Sequence, residues 1–157
     1  MAIEFLDSDS AEVQALIARS DAFYSGLYPP ESNHLEDYQS LKLANVMFVG
    51  YRIDTELVAC GAAKTLTDDG VYAEIKRVFV DHRHRGKGLS VKIMQFLETE
   101  LTHRGIGVFR LETGVKQPEA IGLYRKLGYR ERGPYGSYKP DPVSIFMEKK
   151  IPPAIDP

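Results

Sequence analysis

A single cysteine, no apolar run long enough to cross a bilayer and almost no net charge exclude several function classes from this 157-residue chain. Cys60 has no partner for an internal disulfide, so a core must hold the fold, and a reducing cytoplasm is the expected compartment. It sits in the apolar run Leu57 to Ala63 and reads as a small core residue. No stretch approaches the ~18–20 apolar residues of a membrane span. The N-terminus lacks a basic start followed by an apolar segment, so no signal peptide is expected. A net charge of −2 argues against a nucleic-acid binder, which would be strongly basic. The four histidines and one cysteine show no metal-ligand spacing, so no metal is expected.

What remains is ordinary globular composition, 43% hydrophobic and 27% charged. The length suits one domain over residues 1–150, with 151–157 as a frayed tail. Ile3 to Leu6 reads as a first strand, and Asp9 with Glu12 resembles a capping box before a helix carrying Val13, Leu16, Ile17 and Ser20. Tyr28-Pro29-Pro30 opens a loop, followed by a short helix over Glu36–Leu43. Met47–Ile53 and Leu57–Lys64 form a hairpin around Asp54-Thr55, and Val71–Val80 is the next strand. A helix runs from Gly88 to about Arg104, a strand from Val108 to Thr113 and a helix from Pro118 to Leu127. Tyr129–Arg132 and Val143–Lys149 make a final antiparallel pair. The fold class is therefore α/β with a mixed, α+β-like sheet, in which antiparallel strands flank one parallel βαβ unit.

One segment carries chemistry. Arg83-His84-Arg85-Gly86-Lys87-Gly88 follows the apolar Val78-Phe79-Val80 and opens the amphipathic pattern Leu89, Ile93, Met94, Leu97, Leu101. Strand, basic glycine loop and helix start together favour a phosphate. The first N–H groups of a helix lack intrahelical acceptors, and the macrodipole adds roughly half a positive charge there. The spacing is not that of a P-loop. A dinucleotide fingerprint would need a small residue where Val91 stands, and the preceding hairpin does not suit it.

Arg83-x-x-Gly86-x-Gly88 resembles the acyl-CoA signature of the GNAT acetyltransferase superfamily, R/Q-x-x-G-x-G/A. Gln117-Pro118-Glu119-Ala120-Ile121-Gly122-Leu123-Tyr124-Arg125-Lys126-Leu127-Gly128-Tyr129 resembles a second family segment, N-x-x-A-x-x-L-Y-x-K-x-G-F, with Gln117 in place of Asn. The resemblance is firm from about residue 71 to 132. It implies a GNAT acyl-CoA N-acyltransferase fold and an acetyl-CoA-dependent N-acetyltransferase acting on a primary amine of a small or amino-acid-like acceptor. Under it, Tyr124 protonates the departing sulfur. Val78, Phe79 and Val80 line the pantetheine and acetyl arms; Arg85, Gly86, Lys87, Gly88, Leu89 and Ser90 hold the pyrophosphate, and Gln117 contacts the cofactor. Glu74 is the first candidate base, because residues 74, 76, 78 and 80 share one strand face if pairing is regular. Glu112 is the second, at the end of the parallel neighbour where a crevice should open. Glu74, Lys76 and Arg77 equally fit a solvated strand edge. Tyr28, Glu112 and Tyr138 are the candidate acceptor contacts, with His34 and Tyr135 nearby. A non-catalytic acyl-CoA sensor and a protein lysine or N-terminal acetyltransferase stand as alternatives, and a homodimer is the family-level expectation.

Overall fold

The computed structural model describes residues 3–29 and 39–152. Among them, seven strands form one sheet: β1 (Ile3–Phe5), β2 (Val46–Ile53), β3 (Glu56–Leu66), β4 (Tyr72–Val80), β5 (Val108–Gly114), β6 (Arg130–Arg132) and β7 (Ser144–Lys150), in the order β1-β2-β3-β4-β5-β7-β6. The helices are α1 (Ala11–Leu27), α2 (Leu89–His103) and α3 (Pro118–Lys126), with short 3₁₀ turns at Ser40–Lys42 and His82–His84. The pair β4–β5 is parallel and the other neighbours are antiparallel, as the element pattern predicts. The final pair of strands is present, but β7 enters between β5 and β6 and so pairs along the whole of β5. Residues 36–38 of the expected 36–43 helix lie outside the described residues, and the rest holds a single 3₁₀ turn, Ser40–Lys42, in place of an α-helix.

Local chemistry sets the helix ends. The cap of α1 is Ser10, whose Oγ accepts from the Val13 N–H at 3.2 Å, and not the expected Asp9. Asp7 Oδ1 accepts from the Asp9 N–H and Asp7 O from the Ser10 N–H, a tight turn that leaves Ser10 extended at the helix entrance. Glu12 reaches Arg52 on β2 instead of closing a capping box. Helix α2 ends as read, with Gly105 left-handed after the cap at φ +84°.

α1 covers one sheet face through Val13, Leu16 and Ile17 against Phe48, Cys60 and Phe79. α2 and α3 cover the other, where Ile93, Met94, Leu97 and Leu101 pack with Ile75, Leu111, Tyr124 and Tyr129. Gly61 lets α2 approach, since a Cβ there would stand 2.5 Å from Ile93 Cγ2.

Two irregularities shape the site. The β4–β5 ladder spans only Ala73–Ile75 against Phe109–Leu111. Beyond it, β4 stays bonded to β3 and β5 to β7, so the two strands part. Second, Cys60 lies opposite Phe79 and Ala62 opposite Lys76, so Arg77 and Val78 together face Gly61 in a β-bulge, with Arg77 at φ +59°. The bulge corrects the expected common face of residues 74, 76, 78 and 80. Glu74 and Lys76 share the α1 side with Phe79, whereas Val78 and Val80 turn to the α2 side.

Glu148 on β7 ties three strands, accepting from Arg110 Nε of β5 at 2.7 Å and Arg132 Nη1 of β6 at 2.5 Å. Burial disfavours its charge, but the two guanidiniums outweigh that and hold the carboxyl below its ordinary range. A lowered folded-state pKa stabilises above the unfolded value, and that contribution fades as pH falls through the folded one. Glu148→Gln should therefore cost about 1–3 kcal/mol at neutral pH. The difference should shrink below about pH 4, which urea unfolding at both pH values measures.

Candidate active site

Where the strands part, the end of β4, the end of α1 and the starts of α2 and α3 enclose a cleft of about 570 Å³. Its floor is Val78, Phe79 and Val80, and one wall is Arg85, Gly86, Gly88, Leu89 and Ser90, all from the residues the sequence nominated. Gly86 and Gly88 are left-handed at φ +82° and +73°, with nothing within 4 Å of where a Cβ would sit. Gly88 caps α2 without a side chain, and the first helical bond runs from the Lys92 N–H to Gly88 O. The N–H groups before it have no helical acceptor and face the loop. These features fit a phosphate, with no Cβ to bar close backbone approach.

The basic side chains divide their work. Arg85 lies across the cleft mouth, donating from Nε to Val80 O at 3.3 Å, with its guanidinium 4.7 Å from the centre of the Phe23 ring. Arg83, the first residue of the signature, turns away to Glu56 and Asp81 and anchors the loop to the β2–β3 turn. Asp81 is buried. That would raise its pKa, but the Arg83 N–H and the Arg83 and Arg19 guanidiniums hold it below the ordinary range. Lys87 is exposed, outside the cleft lining, and donates to His84 Nδ1 at 3.0 Å.

Tyr124 of α3 lines the far wall and is 8% exposed. Burial raises its phenol pKa well above the usual value, and Tyr24 and Glu112 add to the shift. Tyr24, which sequence reasoning did not single out, crosses from α1 and donates to Val78 O at 3.0 Å. Burial pushes it up to about 12, opposed by a hydrogen bond with Gln117. Tyr28 Oη accepts from the Lys116 N–H and donates to Gln117 Oε1, both at 3.2 Å. Gly114 makes room for it: a Cβ would lie 1.8 Å from that oxygen. Gln117, in place of the family's Asn, thus lies in the cleft with its carbonyl end held by Tyr28, the residue that ends α1. The signal for Tyr24 was its i, i+4 relation to Tyr28, which reads equally well as helix packing.

Glu74 is 4% exposed and Arg77 6%, which overturns the solvated-edge reading. Glu74 does not line the cleft among its described lining residues. It lies on the α1 side, where Tyr135 Oη donates to its Oε2 at 2.7 Å and Lys76 Nζ stands 3.5 Å from Oε1. The 133–143 connection folds down there: Tyr138 packs edge-on to Tyr135 and Phe146, and Lys76 donates to its hydroxyl at 3.3 Å. Glu112 lies one residue past the last β4–β5 pair, and its charge is felt by Tyr28, Tyr124 and Tyr135. His34 lies outside the described residues. No group of three or more histidine, cysteine or acidic side chains able to hold a metal occurs among the described residues, and no described helix is long and apolar enough to cross a membrane.

The GNAT acetyltransferase family model matches residues 13–129. The chain belongs to the GNAT acetyltransferase family. An IAA acetyltransferase from Azospirillum brasilense is 42% identical over 139 residues, covering 88% of this chain and 90% of that protein. A Klebsiella pneumoniae structure assigned as an acyl-CoA N-acyltransferase is 38% identical, with a TM-score of 0.77 and coverage of 94% and 95%. The Thermoplasma acidophilum PaiA N-acetyltransferase in complex with coenzyme A shares the fold at 22% identity, with a TM-score of 0.72 and coverage of 96% and 100%. This GNAT protein is an acetyl-CoA-dependent N-acetyltransferase acting on an amine-bearing substrate. Gly88→Ala puts a Cβ into a left-handed backbone at a cost of about 1–2 kcal/mol. It should weaken acetyl-CoA binding about ten-fold, measured by calorimetry, with little change in the fold by circular dichroism.

Proposed function

We propose that the protein transfers acetyl from acetyl-CoA directly to the primary amine of a small or amino-acid-like acceptor, with Tyr124 as the general acid. The observation that carries this reading is the position of Tyr124 in the wall of the cleft whose floor is Val78–Val80 and whose opposite end is the α2 N-terminus. A thioester laid along β4 would have its phosphates at residues 85–90 and its sulfur toward Tyr124. The N–H groups of Arg85 through Ser90 supply the phosphate contacts, and a Phe79 or Val80 N–H serves the thioester oxygen.

In the transfer, the amine nitrogen forms a bond to the acetyl carbon, the carbon–sulfur bond breaks, and the sulfur leaves with the Tyr124 proton. Reference values of about 10 for a phenol and 8.5 for a thiol make this proton transfer uphill by roughly 2 kcal/mol. Burial that raises Tyr124 also disfavours a bare thiolate beside it, so the gap does not widen by the full shift.

The amine's own proton leaves toward the carboxylates on the α1 side. Glu74 keeps its place as a candidate, with one oxygen accepting from Tyr135. Glu112, at the point where the strands part, supports the same role from nearer Tyr124. Tyr28 and Tyr138 complete the acceptor side. The small acceptor is favoured by the tyrosine loop folded onto Lys76, which narrows the approach that an extended peptide would need.

Tyr124→Phe should retain acetyl-CoA binding and lose about 10²-fold or more in kcat, measured by thiol release with a panel of amines. An unchanged kcat removes it as the acid, and turnover restricted to peptides favours a protein acceptor. Comparing the kcat/KM pH profiles of Glu74→Gln and Glu112→Gln assigns the base: the variant that loses the acidic limb has lost it.

A further inference from the structure

Among the described residues, Arg77 and Asp54 are the non-glycine positions with left-handed backbone, at φ +59° and +53°. Asp54 sits in the β2–β3 turn, where an aspartate is at ease. Arg77 sits within β4, where a long side chain gains nothing from that conformation. Its side chain is 3% exposed, and a buried guanidinium needs a partner. Nη1 finds Asp21 of α1 at 2.5 Å. The Arg77 carbonyl, turned out of the regular ladder by the bulge, accepts from the buried Cys60 thiol at 3.3 Å. One turn further along α1, Tyr24 donates to Val78 O. Helix α1 therefore grips the bulge twice, by the Arg77 side chain and by the next carbonyl, immediately before the Val78–Val80 floor.

We propose that the Arg77–Asp21 ion pair is the positioning element that sets the Val78–Val80 main chain against Tyr124, so that its N–H groups meet the thioester oxygen. Neither residue lines the cleft; both act through the bulge. This rests on the donor lying along β4, as proposed above. Without the pair, the bulge loses one of its two holds on α1, and β4 can shift toward regular pairing, which would turn Val78 and Val80 away from their present faces. A shift of about 1 Å in such a contact is enough to cost about 10²-fold in rate.

The test uses acetyl-CoA labelled with ¹³C at the thioester carbonyl, with Kd from calorimetry and the bound carbonyl signal from NMR. The unaltered protein should bind it and move the carbonyl signal away from its free position. Asp21→Asn and Arg77→Gly should each return that signal most of the way to the free value while Kd changes by no more than about three-fold. The double variant should lose no more than either single one, because both remove the same contact. Arg77→Gly keeps the left-handed backbone without strain, so a bound signal like that of the unaltered protein would mean the backbone alone suffices and would overturn the proposal. An unchanged signal in Asp21→Asn, which alters a half-exposed carboxylate with little risk to folding, would also overturn it. Failure of the unaltered protein to bind acetyl-CoA would instead overturn the donor placement itself, and the ion-pair proposal with it.

Discussion

Three residues of parallel pairing join the two halves of the sheet, and the site depends on where that pairing stops. Ala73–Ile75 bonds to Phe109–Leu111; beyond, each strand stays with its outer neighbour. Parting strands leave main-chain N–H and C=O groups that must find other partners. Here two are met by side chains, Val78 O by Tyr24 of α1 and Val80 O by Arg85. The bulge at Arg77 is what lets β4 keep its bonds to β3 while turning Val78 and Val80 toward α2.

The two sides of this opening differ in chemistry. Toward α2 there are glycines, helix N–H groups and Arg85, whose guanidinium reaches the Phe23 ring of α1, a setting that fits a phosphate. Toward α1 and the 133–143 connection there are tyrosines, two carboxylates and a lysine, a setting for a polar acceptor. Tyr124 stands in the cleft with its proton held firmly by burial, and the Glu112 carboxylate and the neighbouring Tyr24 phenol further disfavour its ionisation.

The sequence made the donor side legible because helix-start physics leaves a local signature: a strand, glycines able to turn left-handed, then an amphipathic run. Residues 78–80, 85, 86 and 88–90 meet in one cleft as that signature predicts. Arg83 and Lys87 fell inside the same motif yet turn to Glu56 and His84, because a charged side chain takes whichever partner folding brings near. The bulge was not legible. Period-two reasoning assumes regular pairing, and one extra residue moved Glu74 to the opposite face from Val78. Tyr24 and Asp21 were hidden for another reason: their partners lie more than fifty residues away, and nothing local to α1 announces them. Asp9 lost the cap to Ser10 through a turn one residue longer than the pattern suggested.

The most direct measurement is a crystal structure with acetyl-CoA bound. The account predicts pyrophosphate oxygens on the N–H groups of residues 85–90, the acyl arm along Val78–Val80, and the sulfur within hydrogen-bond reach of Tyr124 Oη. Pyrophosphate bound away from the α2 N-terminus, or a sulfur beyond the reach of Tyr124, would contradict it.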